Sequence, residues 1–214
     1  MKTNKIKAVI FDLDGIIIES EPWQKEAFDL TMQPYNIHFN DKQFAELIGI
    51  RSIDNFRKIK KKYDIPISAK ELTAIKNKSY ARILKQKITP RGHFNDLFHY
   101  LRERYILSLA SSSIREDVFN SIRLLNIEKY FEVIVTGDDV NAGKPDPEIF
   151  LKTALQLKIA PESCAVIEDS QNGINAAKKA GMLSIAVPTK HTANHDFKNA
   201  DHLFKDLSEI KQVL

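Results

Sequence analysis

Two aspartates one residue apart, Asp12 and Asp14, close an apolar run and are followed by Gly15 in FDLDG. Side chains two apart in an extended segment face the same way, so both carboxylates point to one place. Like charges at that range need a cation or a shared proton, which suits metal binding or acid–base work. The same residues also suit an ordinary β-turn at Asp14 and Gly15 with no chemistry. Three further stretches carry reactive types. Ser111, Ser112 and Ser113 form a serine run, and a hydroxyl beside backbone N–H groups at a helix start suits phosphate oxygens. Lys144 sits in GKPDPEIF, a loop stiffened by Pro145 and Pro147, and Glu168 and Asp169 end the apolar run CAVIED. Hard carboxylate oxygens match Mg²⁺, which takes one or two of them together with phosphate and water.

Short β-branched apolar runs at 6–12, 105–111, 131–137, 164–169 and 183–188 read as buried parallel strands. Between the later ones lie helical patterns with their own start and stop signals. Ser113 and Glu116 suit a capping box, Pro147 a first helical turn, and Gly181 a helix stop. Repeated strand and helix imply a doubly wound α/β sheet, Rossmann-like, whose ligands bind beyond the carboxyl ends of the strands. Asp12, Ser111 and Glu168 all fall at such ends.

About ninety residues separate Asp12 from Ser111, several times what one crossover needs. The interval reads as helices only, at 22–33, 41–48, 52–63 and 68–86, the last opened by the capping pair Ser68 and Glu71. A small all-helical lobe over residues 16–89 is therefore expected between a core segment at 1–15 and the remaining core at 90–214. The crossover back to the sheet places Phe94, Leu97, Phe98 and Leu101 on one face.

At 214 residues the chain supports one sizeable core with a smaller inserted lobe. Its composition excludes wholesale disorder. No apolar run approaches a membrane span, and carboxylates come too early for a signal peptide, so a cytoplasmic setting is expected. The single Cys164 lies in CAVIE, where a buried inert thiol is expected. In the basic run RKIKKKY at 57–63, Ile53, Phe56, Ile59 and Tyr63 recur at helical spacing. The lysines thus read as the wet face of an amphipathic helix rather than as a nucleic-acid surface. His191 and His195 have the spacing of a helical metal pair, but no third ligand lies nearby and no zinc site is expected.

Taken in order, DLDG, LASSS, GKPDPEIF and IEDSQNG resemble the haloacid dehalogenase-like (HAD) superfamily. The branch is the one with a helical cap after the first strand, and the β-phosphoglucomutase-like phosphatases are the group resembled. The resemblance covers essentially the whole chain. It implies Asp12 as nucleophile and Asp14 as general acid and base. It implies Ser111 and Lys144 as phosphate ligands, with Ser112 and Gly15 beside them. It also implies Mg²⁺ as cofactor, held by Asp12, the backbone carbonyl of Asp14, and Asp169 with help from Glu168. The implied partner is a small phosphorylated metabolite; the residue patterns give no sign of nucleic-acid or membrane binding, and nothing in them demands more than a monomer.

An acid at Asp14 favours phosphate ester chemistry over dehalogenation or phosphonate cleavage, whose family members lack one there. The choice between phosphatase and mutase falls to the cap. Mutases that resemble this chain carry a histidine where Gln24 stands and a lysine where Ile48 stands, and both departures weaken a mutase reading. Ser20, Glu21 and Trp23 in ESEPW are similar to the cap opening of small sugar-phosphate phosphatases, with Trp23 read as cap core. Arg51 in GIRS either grips a second part of the substrate or is a surface arginine at a helix start. At the second hinge the relatives' Pro-Gly pair is replaced by PRGHF, which leaves the placement of Arg91 open and puts His93 within reach of the cleft. The alternatives to a phosphatase are a hexose-phosphate mutase with the same nucleophile and a catalytically silent binding protein of the same fold.

Overall fold

Six short strands form one parallel sheet in the computed structural model, which describes residues 5–214. The chain enters at β1 (Ala8–Phe11), whose four residues are wholly buried. It then leaves the sheet for α1 (Glu21–Met32), α2 (Asp41–Ala45), α3 (Ser52–Tyr63) and α4 (Ala69–Lys87). It returns through α5 (Phe94–Arg102) to β2 (Ile106–Ala110), α6 (Arg115–Leu124), β3 (Val133–Val135) and α7 (Glu148–Leu157). The last part runs through β4 (Cys164–Glu168), α8 (Gln171–Lys179), β5 (Leu183–Ala186) and β6 (His202–Leu203). The strand order is β3-β2-β1-β4-β5-β6, so successive crossovers run outward from β1 in both directions. The switch point lies at the end of β1, and a crevice opens there beyond the strand ends.

Helix α5 lays Phe94, Leu97, Phe98 and Leu101 against the sheet, each no more than 2% exposed, and Phe11 meets the rings of Phe94 and Phe98. The inserted helices have their own apolar cluster of Phe28, Met32, Phe44, Phe56, Ile59 and Leu72. They are not independent of the core, because Ala27 of α1 and Tyr80, Ile83 and Leu84 of α4 join the main cluster. Ile16, Ile17 and Ile18 are also fully buried in that cluster, and Ile18 bridges to Pro90. Residues 16–18, at the expected start of the lobe, therefore pack with the sheet.

The helix signals fare unequally. Ser68 and Glu71 form a reciprocal capping box at α4. At α6 the N-cap is Ile114 with no side-chain cap, and the expected box of Ser113 and Glu116 does not form because the Ser113 hydroxyl is drawn to Asp14. Helix α2 stops at Ala45 rather than running to 48, since the amides of Leu47 and Ile48 tighten onto carbonyls three residues back and Asn55 Nδ2 donates to the Leu47 carbonyl. On α3, Phe56 and Ile59 are buried while Arg57, Lys58, Lys61 and Lys62 are exposed, as an amphipathic helix requires. Tyr63, assigned by spacing to the apolar face, is instead 37% exposed. Strand β6 is too short and too polar to register as an apolar run. No described helix is long and apolar enough to cross a membrane.

Candidate active site

Asp12 continues β1 by one residue, its amide donating to the Ile167 carbonyl at the end of β4. Its side chain is 6% exposed and Oδ1 accepts from Lys144 Nζ at 2.6 Å. Lys144, 2% exposed, also donates to Glu168 Oε1 at 2.7 Å and to the Ala110 carbonyl. Its loop is fixed from below, where the Glu148 carboxylate accepts from the amides of Asn141 and Ala142. Glu168 spends Oε2 on the amide and hydroxyl of Ser170, so both of its oxygens are engaged.

Asp169 is 1% exposed, and Oδ2 accepts from the Thr192 hydroxyl at 3.3 Å. Gly15 is needed beside it. Its φ is +80°, and a Cβ there would lie 2.4 Å from the Asp169 carboxyl. The Gly15 carbonyl is held by Arg91, whose guanidinium also donates to the carbonyls of Val187 and Pro188.

Asp14 is held by three donors. Oδ1 accepts from the Ser20 hydroxyl and from Gln24 Nε2, and Oδ2 accepts from the Ser113 hydroxyl at 2.7 Å. Ser111 is fully buried and its Oγ accepts from the Ser113 amide, while Ser112 Oγ donates across the lobes to the Gly49 carbonyl.

These charges set one another's protonation. Burial pushes the Asp12 carboxyl up to about 8; Lys144 pulls it down, and Glu168 and Asp14 push it further up. Burial also raises Asp169 well above the usual carboxylate range, reinforced by Glu168, Glu21 and Asp12. For Lys144 burial acts downward, but Asp12 and Glu168 outweigh it and hold the ammonium charged. One lysine therefore serves three buried acids, Asp12, Glu168 and Asp169, with carboxylate oxygens within 4.8 Å of one another. A second, divalent cation would relieve that excess of negative charge, and an all-oxygen donor set fits Mg²⁺.

Between the lobes lies a narrow cavity of about 70 Å³ lined by Asp12, Asp14, Ser112, Asp169, Asn55 and Lys76, among others. A water occupies ~30 Å³ of liquid, so the cavity has room for a few atoms. A larger open groove of about 900 Å³ lies between α2 and the segment from Lys190 to His195, and none of the catalytic candidates lines it.

Two cavity residues escaped the sequence reading. Lys76 is 3% exposed, its ammonium 4.6 Å from the Tyr80 ring centroid and 5.7 Å from that of Phe28. Its signal was present, since Leu72, Lys76 and Tyr80 recur at four-residue spacing and place a lysine in an apolar stripe. Asn55 Oδ1 is buried without a partner.

Other expected residues lie elsewhere. Arg51 does not line the cavity. Its Nη atoms donate to the carbonyls of Val140 and Asn141 at 2.8 Å, and Nε donates to Asp54 at 2.7 Å. His93 does not reach the cleft but makes an exposed pair with Asp206 at 2.8 Å. Trp23 packs against the main core cluster. His195 uses both ring nitrogens, accepting from the Gln171 amide at Nδ1 and donating to the Ala45 carbonyl from Nε2.

Comparison with known proteins finds relatives along most of the chain. A phosphorylated carbohydrates phosphatase of Thermotoga maritima is 30% identical over 181 residues, 84% of each chain. The β-phosphoglucomutase of Bacillus subtilis is 34% identical over 192 residues, covering 85% of this chain and 83% of its own. The crystal structure of CbbY from Rhodobacter sphaeroides in complex with phosphate superposes with a TM-score of 0.86 at 25% identity over 96% of both chains. Residues 9–187 match the family model for haloacid dehalogenase-like hydrolases, and the chain belongs to that family.

Proposed function

We propose that the protein is a Mg²⁺-dependent phosphomonoesterase that acts on a small phosphorylated metabolite through an aspartyl phosphate on Asp12. The observation that carries this reading is the buried Lys144 bound to Asp12 and Glu168, with the Asp14 carboxylate lining the same narrow cavity. Asp12, Asp169 and the backbone carbonyl of Asp14 would hold Mg²⁺, which screens a carboxylate from the phosphate dianion it attacks. Lys144 supplies a fixed positive charge for the transferring phosphoryl oxygens, without reorganisation at the moment of reaction. Asp12 Oδ2, which accepts no hydrogen bond from the described residues, attacks phosphorus as the ester P–O bond breaks. Asp14 gives a proton to the leaving oxygen. It later takes one from water, which attacks the aspartyl phosphate to release phosphate and restore Asp12.

Ser20, Gln24 and Ser113 keep the Asp14 carboxyl in place through both transfers. Lys76 and Asn55, on the cap side of the cavity, are placed to meet the hydroxyls of the leaving group. Closure of the cap excludes bulk water during the first transfer.

The test is phosphate release with Mg²⁺ from a panel of sugar, polyol and nucleotide monophosphates, with β-glucose 1-phosphate also followed for isomerisation. We expect release from one class, abolished by EDTA and by Asp12→Asn. Isomerisation with little free phosphate would replace the phosphatase by a mutase. Substantial turnover in folded Asp12→Asn would remove Asp12 as nucleophile.

A further inference from the structure

Glu21 is the first residue of α1 and therefore belongs to the inserted lobe, yet it is only 3% exposed. Its Oε1 is fully buried with no hydrogen-bond donor among the described residues. Burying a carboxylate oxygen without a donor is costly, so the missing donor belongs to something the cavity takes up. Glu21 lines the same narrow cavity as Asp12, Asp14 and Asp169. The guanidinium of Arg91 lies near, but its described hydrogen bonds go to the carbonyls of Gly15, Val187 and Pro188, so it is no salt-bridge partner.

The surroundings of Glu21 point to the metal end of the cavity. Thr189 stands beside Glu21. The Thr189 hydroxyl meets that of Thr192 at 3.4 Å, and Thr192 donates to Asp169 at 3.3 Å. Repulsion from Glu21 is also among the influences that raise Asp169. On its other side Glu21 borders an outer groove lined by Arg91, Thr189, Lys190, His191 and Lys205.

Mg²⁺ sheds its waters reluctantly and keeps several when protein supplies only one or two carboxylates. Those waters are strong donors that need acceptors. Resting on the Mg²⁺ reading above, we propose that Glu21 is the outer carboxylate of the metal site, accepting hydrogen bonds from water on the cation held by Asp12 and Asp169. Because Glu21 sits on the cap and the other acids on the core, metal loading and cap docking become one linked equilibrium. Each favours the other by the same factor.

Isothermal titration with Mg²⁺ alone, without substrate, tests this on the full chain. Glu21→Gln, which keeps the shape and removes the charge, should weaken Mg²⁺ binding by at least ~10-fold, the usual loss when an outer partner of a metal site is removed. The Mg²⁺ concentration that half-saturates p-nitrophenyl phosphate hydrolysis should rise by a similar factor. Mg²⁺ should slow amide hydrogen exchange at the cap hinge in the wild type more than in Glu21→Gln. An unchanged Mg²⁺ affinity in Glu21→Gln overturns the proposal, and if the KM for p-nitrophenyl phosphate rises at the same time Glu21 is a substrate contact instead. Glu21→Met provides a second variant should the first be poorly folded, with the same outcomes read from it. Asp169→Asn is the control for the underlying reading. If it too leaves Mg²⁺ binding intact, the metal site itself fails rather than the role of Glu21 within it.

Discussion

Lys76 and Asp117 show what a single buried charge does in this molecule. Asp117, on α6, is 2% exposed, and burial pushes its carboxyl up to about 7 against the opposing pull of Lys76. Burial lowers Lys76 in turn, with Asp117 and Asp14 opposing. An unfolded aspartate titrates near ~3.9, so between about pH 4 and about pH 7 the folded protein holds a proton that the unfolded chain has released. Stability contributed at this site therefore falls as pH rises through that window and levels off above it. Asp117→Asn remains neutral and escapes the loss. Thermal melts across pH 5 to 8 should show the variant gaining on the wild type by roughly 1–3 kcal/mol, a shift of several degrees. Parallel curves would mean that Asp117 is ionised throughout and that Lys76 balances it.

At the scale of elements, the lobes are joined by a device that residue types alone left ambiguous. Arg51 begins α3 and anchors it to the carbonyls of Val140 and Asn141, in the loop that leads to Lys144. Hydrogen bonds from a charged group are worth about 1.5–3 kcal/mol net, enough to shift an open–closed balance tenfold or more. Arg51→Ala should therefore open the ligand-free protein, seen as a larger radius of gyration by scattering. Gly143→Ala should do the same without removing any charge, because a Cβ there would lie 2.8 Å from Arg51 Nε. If both variants scatter like the wild type, the apolar contacts of Tyr80, Ile83 and Leu84 hold the cap without the arginine.

This also explains which parts of the site were legible in the sequence. Asp12 and Asp169 sit at strand ends, where a period of two and a switch point fix direction before any tertiary detail is known, whereas Lys144 was singled out by its proline-stiffened loop before α7. The five longer strands and four cap helices were visible as apolar periodicity, since burial imposes it. Arg51 and Ser113 were not assignable, because their acceptors lie far away in sequence, at Val140 and Asn141 on the other lobe and at Asp14 beyond the first strand. Lys76 left a local trace in its apolar stripe, but the rings of Phe28 and Tyr80 that it meets are fixed only by helix packing.

The whole molecule divides its charge unevenly. The chain carries a formal +4, and the cap is its basic half, with Arg57, Lys58, Lys61 and Lys62 exposed along α3 and the buried Lys76 facing the cavity. The core end of the cavity is acidic, built from Asp12, Asp14, Glu168 and Asp169. On the proposed function, an anionic metabolite approaching the cleft would be drawn by the cap and resisted by the core until a cation is in place. Attraction of this kind acts over a Debye length, which is ~10 Å at 0.1 M salt and ~3 Å at 1 M. Raising the salt at saturating Mg²⁺ should therefore raise KM several-fold while kcat holds, since the reacting groups are buried and screened little. Replacing Lys58, Lys61 and Lys62 together by Gln should flatten that salt dependence and leave the fold intact, because all three side chains lie on the solvent face of α3. A KM that ignores salt, or an equal slope in the triple variant, would reduce these lysines to a solvated helix face. The field that guides substrate would then have to come from Lys76 and the bound cation alone.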